Sequence, residues 1–308
     1  MSPRSLLSSP AKVGDRALML RSAGCPAFAG HDTGGWRWIA AFAAAAIAAT
    51  GLLSMPASAS AEPVLLHAAG SLRGALTDVA KAFEAASGAT VQMKYGPSGI
   101  LKDGIAAGEK AEVFASANME HPQALAAAKK SGPVVLFARN KLCAVVRPGL
   151  KIESAQLLDR MLEPQVKLAT STPKADPSGD YAFEVFRKAE ALKPGAQAAL
   201  EKKALQLSGG PNSPAPPAGK SVYSWHIAEG RADIYLAYCT AGRTAQQEEP
   251  GQQIVALPDA LSVGADYGMT VVAESTPAAY RLAMFILSSE GQRILARHGF
   301  GAPNLPQQ

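Results

Sequence analysis

The sequence predicts an α/β fold with a mostly parallel sheet. Apolar runs of strand length alternate with stretches whose apolar residues recur at helical spacing. The 308 residues supply core for one large or two modest domains. No internal repeat or long low-complexity tract interrupts the alternation.

The run "PVLLHAA" reads as a buried strand, and the helix after it spans about Leu72 to Ala86, with Leu72, Leu76, Val79, Phe83 and Ala86 on one face. "TVQMKYG" is the second strand, followed by a short helix from about Ile100 to Ala107. "AEVFASA" is the third strand, and "HPQALAAAKKSG" a helix stopped by Gly132. "PVVLFARNKLCAVVRPG" is extended and broken in its middle, and "VKLATSTP" is a strand before a helix from about Gly179 to Leu192. "AQAALEKKALQL" reads as helix throughout, and "SGGPNSPAPPAGKS" as a surface loop. "SVYSWHIAEGRADIYLAYCT" gives a helix, a stop at Gly230 and a strand; "QQIVALP" and "MTVVAES" are further strands. "TPAAYRLAMFILSSEG" and "GQRILARHG" close the chain as two helices.

Residues 1–61 read as an N-terminal extension and cleavable secretory signal. Arg37 precedes an apolar run from Trp38 to Leu53, and "ASASA" supplies an Ala-x-Ala site ending at Ala59 or Ala61. The run, about 16 residues, falls short of the ~20 that span a bilayer. The expected location is therefore periplasmic. The whole chain carries Lys+Arg 30 against Asp+Glu 25, a formal charge of +5. Losing Arg4, Lys12, Arg16, Arg21, Arg37, Asp15 and Asp32 with the signal leaves 25 basic and 23 acidic residues, a net of +2. That near-neutral balance, with no Lys/Arg stripe interleaved with aromatics, gives no basis for nucleic-acid binding.

Cys25 falls in the removed part and follows no apolar run, so it is no lipoprotein anchor. Cys143 and Cys239 remain, in "KLCAVV" and "IYLAYCT". In an exported protein such a pair is either one disulfide or two buried thiols, and the spacing does not choose between them.

Enzyme motifs are missing from the sequence. Ser98 in "YGPSGI" does not have the glycine spacing of a nucleophile elbow. His67, His121, His226 and His298 are scattered and form no metal set with the cysteines, and no phosphate-binding or dinucleotide-binding glycine loop follows a strand. His226, in "YSWHIAEG", reads as a packed or surface histidine. What recurs is a small hydroxyl residue between a strand or loop and a helix start: Ser71, Ser98, Ser178 and Ser221. Each is a candidate N-cap. Helix N-termini also expose N–H donors and partial positive charge, so converging ends would make a site for a small oxyanion without Lys or Arg.

Three stretches carry a family resemblance. "HAAGSLRGALTDVAKAFEAASGATVQMKYGPSGILKDGIAAGEKAEVFASA" resembles the opening of periplasmic molybdate-binding proteins of ABC importers, with A-A-x-S-L, G-A/S-S-G/S-x-L and G-A-P-A-D-V/L-F. "STPKADPSGDYAFEVF" resembles their G-D-P-x-x-x-P-A-G-x-Y-A, and "FILSSEGQRILARHGF" their closing helices and those of the wider type II solute-binding group. The resemblance spans nearly all of residues 63–304.

It implies a two-lobe periplasmic binding protein fold of type II, with a ligand cleft between lobes joined by two extended crossings near "LFARNKLCAVV" and "GADYGMTVVAES". Lobe one would be 62–142 plus 268–308, and lobe two 143–267. It also implies a non-enzymatic role without cofactor or metal-cation ligands: capture of a tetrahedral oxyanion, molybdate or tungstate first, by a monomer that delivers it to ABC transporter permease subunits. Carried over by position, Ser71 and Ser98 supply hydroxyl and N–H donors. Ser178, where the family has Ala, offers its backbone N–H. Tyr238 points its hydroxyl at the ligand, and Ser221 or Val222 gives a further backbone donor. "GGPNSPAPPAG", Pro97 in "GPSG", "GEKAEVF" and the cysteine in "YCT" depart from the pattern and mark a sub-branch. Asp103 and Asp180 read as helix N-terminal charges favoured by the dipole.

Two other readings stand beside this one. One is an exported hydrolase or transferase with Ser71 or Ser98 as nucleophile, although neither has a base partner in the sequence. The other is a binding protein of the same fold for sulfate or phosphate, or one docking on a receptor.

Overall fold

The computed structural model describes residues 62–303. The expected signal, residues 1–61, lies outside the described residues. Among the described residues no helix is long and apolar enough to cross a membrane.

The first part of the chain is a run of parallel strand–helix units. Strand β1 (Val64–Ala69) is almost wholly buried, as a parallel strand covered on both faces must be. A 3₁₀ turn at Gly70–Leu72 leads into helix α1 (Arg73–Ser87), which buries Ala75, Leu76, Val79, Ala80 and Phe83 and ends at Gly88 with φ 71°. Strand β2 (Val91–Gly96), helix α2 (Ser98–Ala106), strand β3 (Val113–Ala115) and helix α3 (Glu120–Ala127) follow.

Strand β4 (Val135–Val146) is one continuous strand, although its middle is polar. Asn140 is buried and hydrogen-bonded, and Arg139 pairs with Asp266, so the strand carries polar groups across without interruption. Beyond it come helix α4 (Leu157–Leu162), strand β5 (Leu168–Ser171), helix α5 (Pro177–Leu192) and helix α6 (Ala196–Lys203). Strand β6 (Leu205–Ser208) occupies what the sequence reads as the end of a helix, because pairing with β5 claims Leu205–Ser208. Helix α7 (Val222–Ala228) and strand β7 (Ile234–Tyr238) lead directly into helix α8 (Cys239–Glu248). Strand β8 (Gln253–Ala256), strand β9 (Gly264–Val271), helix α9 (Pro277–Leu287) and helix α10 (Ser289–Arg297) complete the chain.

The nine-stranded sheet runs β2-β1-β3-β9-β4-β7-β5-β6, with β8 also on β4. Strand β4 is its joint. Residues Val135–Lys141 pair antiparallel with β9, whereas Leu142–Val146 pair with β7 and Cys143–Val146 with β8. On either side the neighbours are parallel: β1 with β2 and β3, and β5 with β6 and β7. One core runs through both parts, from Leu66 and Leu76 through Phe137 and Tyr267 to Leu168, Phe186 and Leu236. Cys143 and Cys239 form a disulfide that ties β4 to the first residue of α8.

Candidate ligand-binding site

The candidate site residues sit where parallel strands end and helices begin, the edge of an α/β sheet where donor groups collect. Strand β1 ends just before Ser71, β2 before Ser98, β5 before the loop to Ser178, and β7 ends at Tyr238. Two glycines let the backbones close in. A Cβ at Gly99 would run into the Lys174 carbonyl oxygen and lie 2.8 Å from that of Ala175. A Cβ at Gly179 would lie 2.6 Å from Ser171 O.

The four serines were expected to be helix caps, and only Ser221 is one. Its Oγ accepts from Ser224 N–H at 3.5 Å. Ser71 does not cap α1, because the inserted 3₁₀ turn puts Ala69 at its own entry and Leu72 at the entry of α1. Ser98 is the first residue of α2, with Pro97 in the cap position. Ser178 lies inside the first turn of α5, which Asp176 caps by accepting Ser178 N–H at 3.1 Å.

A series of contacts links the sites from both parts of the sheet. Ser71 Oγ lies 3.0 Å from Tyr267 Oη, which also accepts from Asn140 Nδ2 at 3.3 Å. The Tyr267 ring meets Tyr238 edge-on at 5.5 Å, and Tyr238 meets Tyr181 at 6.2 Å. Tyr181 Oη donates to Ala117 O at 3.3 Å, and Ala117 N–H donates to Ser98 Oγ at 3.1 Å. Next to Ser98, Gly99 N–H donates to Ala175 O at 3.0 Å, so α2 touches the loop that opens α5. Ser178 lies one helical turn before Tyr181. Its side chain faces the phenol of Tyr223, the residue after Val222 on α7.

Ser178 and Tyr238 are almost wholly buried, and their hydroxyl oxygens make no hydrogen bond within the protein. Burial pushes the Tyr238 phenol well above its ordinary range, with Tyr267 and Asp176 adding to the rise, so it stays a neutral donor. Other backbone donors are already engaged. Ser221 N–H is held by both carboxylate oxygens of Glu248, at 2.9 and 2.8 Å, and Ser178 N–H by Asp176 at 3.1 Å, so of these two serines only the hydroxyls are without such a carboxylate partner.

The sequence missed Tyr267, Asn140, Tyr181 and Asp176. "DPSG" carried a signal for the last of these, since Asp followed by Pro is a common helix entry with Asp as cap. Tyr181 stands at the tyrosine of P-A-G-x-Y-A, a signal read for Ser178 alone, whereas Tyr267 looks like an ordinary core aromatic in sequence. The partners of Ser71 and Ser98 are a phenol and a backbone N–H, neither of them a base for nucleophilic attack. Among the described residues no group of three or more His, Cys, Asp or Glu side chains could hold a metal ion.

Comparison with known proteins accords with this architecture. An uncharacterised protein of Pasteurella multocida is 33% identical over 235 residues, covering 76% of this chain and 96% of its own. The periplasmic molybdate-binding protein of Azotobacter vinelandii superposes with a TM-score of 0.64 at 20% identity, covering 79% of this chain and all of that one. The sulfate-binding protein SubI of Mycobacterium tuberculosis also reaches 0.64, at 19% identity, with 79% and 88% covered. The fold is therefore that of periplasmic binding proteins. Residues 64–301 match the family described as bacterial extracellular solute-binding protein, and the chain belongs to that family.

Proposed function

We propose that this protein is an exported solute-binding protein that closes on one tetrahedral oxyanion and delivers it, as a monomer, to the permease of an ABC importer. The observation that carries this reading is the pair of buried hydroxyls, Ser178 Oγ and Tyr238 Oη, without partners in the protein. Leaving a polar group buried and unpaired costs about 1–3 kcal/mol. An anion oxygen between β5 and β7 offers both groups an acceptor, and Ser71, Ser98 and Val222 surround it with further neutral donors. The sequence pattern puts molybdate and tungstate first among the ligands. The molybdate and sulfate binders among the similar structures support the oxyanion class rather than one member of it.

Capture works by hinge closure between lobes 62–142 plus 268–308 and 143–267, with β4 and β9 as the crossings. Gly99 N–H to Ala175 O and Tyr181 Oη to Ala117 O would then be contacts made on closing. The test is calorimetry and thermal melting of residues 62–308 with molybdate, tungstate, sulfate and phosphate. Tight 1:1 binding of at least one supports the reading, and no response to any of the four overturns it.

A further inference from the structure

Tyr238 Oη, one of the two buried hydroxyls offered to the anion, has no partner in the protein, so nothing holds the phenol at its tip. Its ring meets Tyr267 and Tyr181 edge-on, at 5.5 and 6.2 Å, contacts that give the hydroxyl no bond. The phenol is therefore aimed from its root, where β7 stops and α8 begins. Local sequence specifies that changeover weakly. Tyr238 stands at the cap position of α8 without a side-chain cap bond, and Thr240 and Gly242 in the first turn are poor helix formers. Two ties to β4 specify it instead. Leu142 pairs with Tyr238 at the end of the β4–β7 ladder, and Cys239, the next residue, turns back to Cys143 in a disulfide with Cα atoms 4.9 Å apart. Asn140 Nδ2 donates to Thr240 Oγ1 at 2.8 Å. Building on the oxyanion reading above, we infer that the Cys143–Cys239 disulfide, with the Asn140–Thr240 hydrogen bond, is a positioning element that aims the Tyr238 hydroxyl at the ligand, so that anion affinity depends on the disulfide being closed.

The two ties lie on either side of the joint in β4. Asn140 belongs to the part paired with β9, whereas Cys143 belongs to the part paired with β7 and β8. The Asn140 amide also donates to Tyr267 Oη at 3.3 Å, and Tyr267 Oη lies 3.0 Å from Ser71 Oγ. One stretch of β4 thus holds the root of Tyr238 and the partner of Ser71. The hydrogen bond yields to small rotations of either side chain, but the covalent link admits only the narrow range of Cα separations a disulfide spans. Binding groups must be held to within about 0.5 Å to keep their geometry. Opening the disulfide removes no ligand group, since Tyr238, Ser178, Ser71 and Ser98 all remain. It frees the first turn of α8 to fray and lets the phenol swing off the anion. Cys143 is buried and Cys239 half-buried, so a small reductant approaches from the Cys239 side. A dithiol supplies the electrons and protons: the Cys143–Cys239 bond opens to two thiols as the reductant closes its own disulfide.

The test is calorimetric titration of the purified wild-type protein with molybdate, tungstate, sulfate and phosphate, before and after reduction by dithiothreitol, at a temperature where both forms are folded. The anion that binds the oxidised form most tightly should bind the reduced form about tenfold or more weakly, and reoxidation should restore its affinity. Cys143→Ala with Cys239→Ala should show the same loss. In Tyr238→Phe, which has no hydroxyl to aim, opening the disulfide should change affinity by less than about twofold, an outcome that a general loosening of the fold would not give. Equal affinity of oxidised and reduced wild type overturns the proposal, and so does a loss in Tyr238→Phe as large as that in wild type. Where Tyr238→Phe binds too weakly to titrate, the reversible loss in wild type decides alone. If none of the four anions binds the oxidised wild type, the oxyanion reading fails before the disulfide is opened, so the two failures are read apart.

Discussion

Replacing Gly99 with alanine perturbs closure at one atom. The new Cβ would clash with the Lys174 carbonyl and sit 2.8 Å from Ala175 O, so α2 and the loop before α5 must move apart. The hydrogen bond from Gly99 N–H to Ala175 O, 3.0 Å long, is lost as they separate. A net hydrogen bond is worth about 1 kcal/mol, and relieving an overpacked contact costs about 1–3 kcal/mol. If the two segments meet only on closing, the combined ~2–4 kcal/mol falls on ligand binding, a loss of about 30- to 700-fold in affinity. The unliganded open form should hardly be affected, since alanine is the better helix former by about 1 kcal/mol. Calorimetry of Gly99→Ala with the best-binding oxyanion, beside its melting temperature without ligand, separates the two effects. Wild-type affinity in Gly99→Ala would refute the closure argument, and so would a lowered melting temperature without ligand combined with unchanged binding.

Two further outcomes follow from the same structure. The Cys143–Cys239 disulfide closes a separation of 96 residues, so Cys143→Ala with Cys239→Ala should lower stability by about 2–4 kcal/mol in equilibrium denaturation; no change in the midpoint would remove the disulfide from the stability account. Asp176 has a folded pKa raised from 3.8 to about 6, so its favourable contribution is present below pH 4 and is lost as the pH rises toward and through 6. A rise of roughly two units corresponds to at most about 3 kcal/mol. Without ligand, Asp176→Asn should therefore match wild type near pH 4 and exceed it in melting temperature near pH 7.5, and a difference independent of pH would contradict the sign.

Much of the architecture was legible because burial writes itself into sequence. "PVLLHAA" and "VKLATS" are continuous apolar runs because parallel strands are covered on both faces. Helices α1 and α9 show their buried stripes at helical spacing. Features fixed by distant pairing were not legible. Leu205–Ser208 has helix-compatible residues, and only its register with β5 makes it a strand. The polar middle of β4 reads as a break because Arg139 and Asn140 find partners 127 and 100 residues away. The sequence ran β7 on through Cys239 and Thr240, where α8 in fact begins, since Thr and Gly at 240 and 242 give little local helix signal.

The site shows the same division. Ser71, Ser98, Ser178 and Tyr238 were marked by local motif, yet three of the four expected caps do something else. Ser71 bonds to Tyr267, Ser98 receives Ala117 N–H, and Ser178 yields the cap to Asp176. Of the tyrosines that connect these positions, Tyr181 shares α5 with Ser178, and Tyr267 comes from β9, remote in sequence from Ser71. No local pattern distinguishes Tyr267 from a core residue, while Tyr181 lies within the motif that marked Ser178.

The central claim is that Ser178 Oγ and Tyr238 Oη remain buried and unpaired because a ligand uses them. Measuring unliganded stability and oxyanion affinity together in Ser178→Ala with Tyr238→Phe tests it most directly. Removing orphaned hydroxyls should leave unliganded stability unchanged or raised. Each lost bond to a charged ligand is worth about 1.5–3 kcal/mol, so affinity should fall at least a hundredfold. Unchanged affinity in the double variant, with stability lowered instead, would show that the two hydroxyls serve the fold and not a ligand.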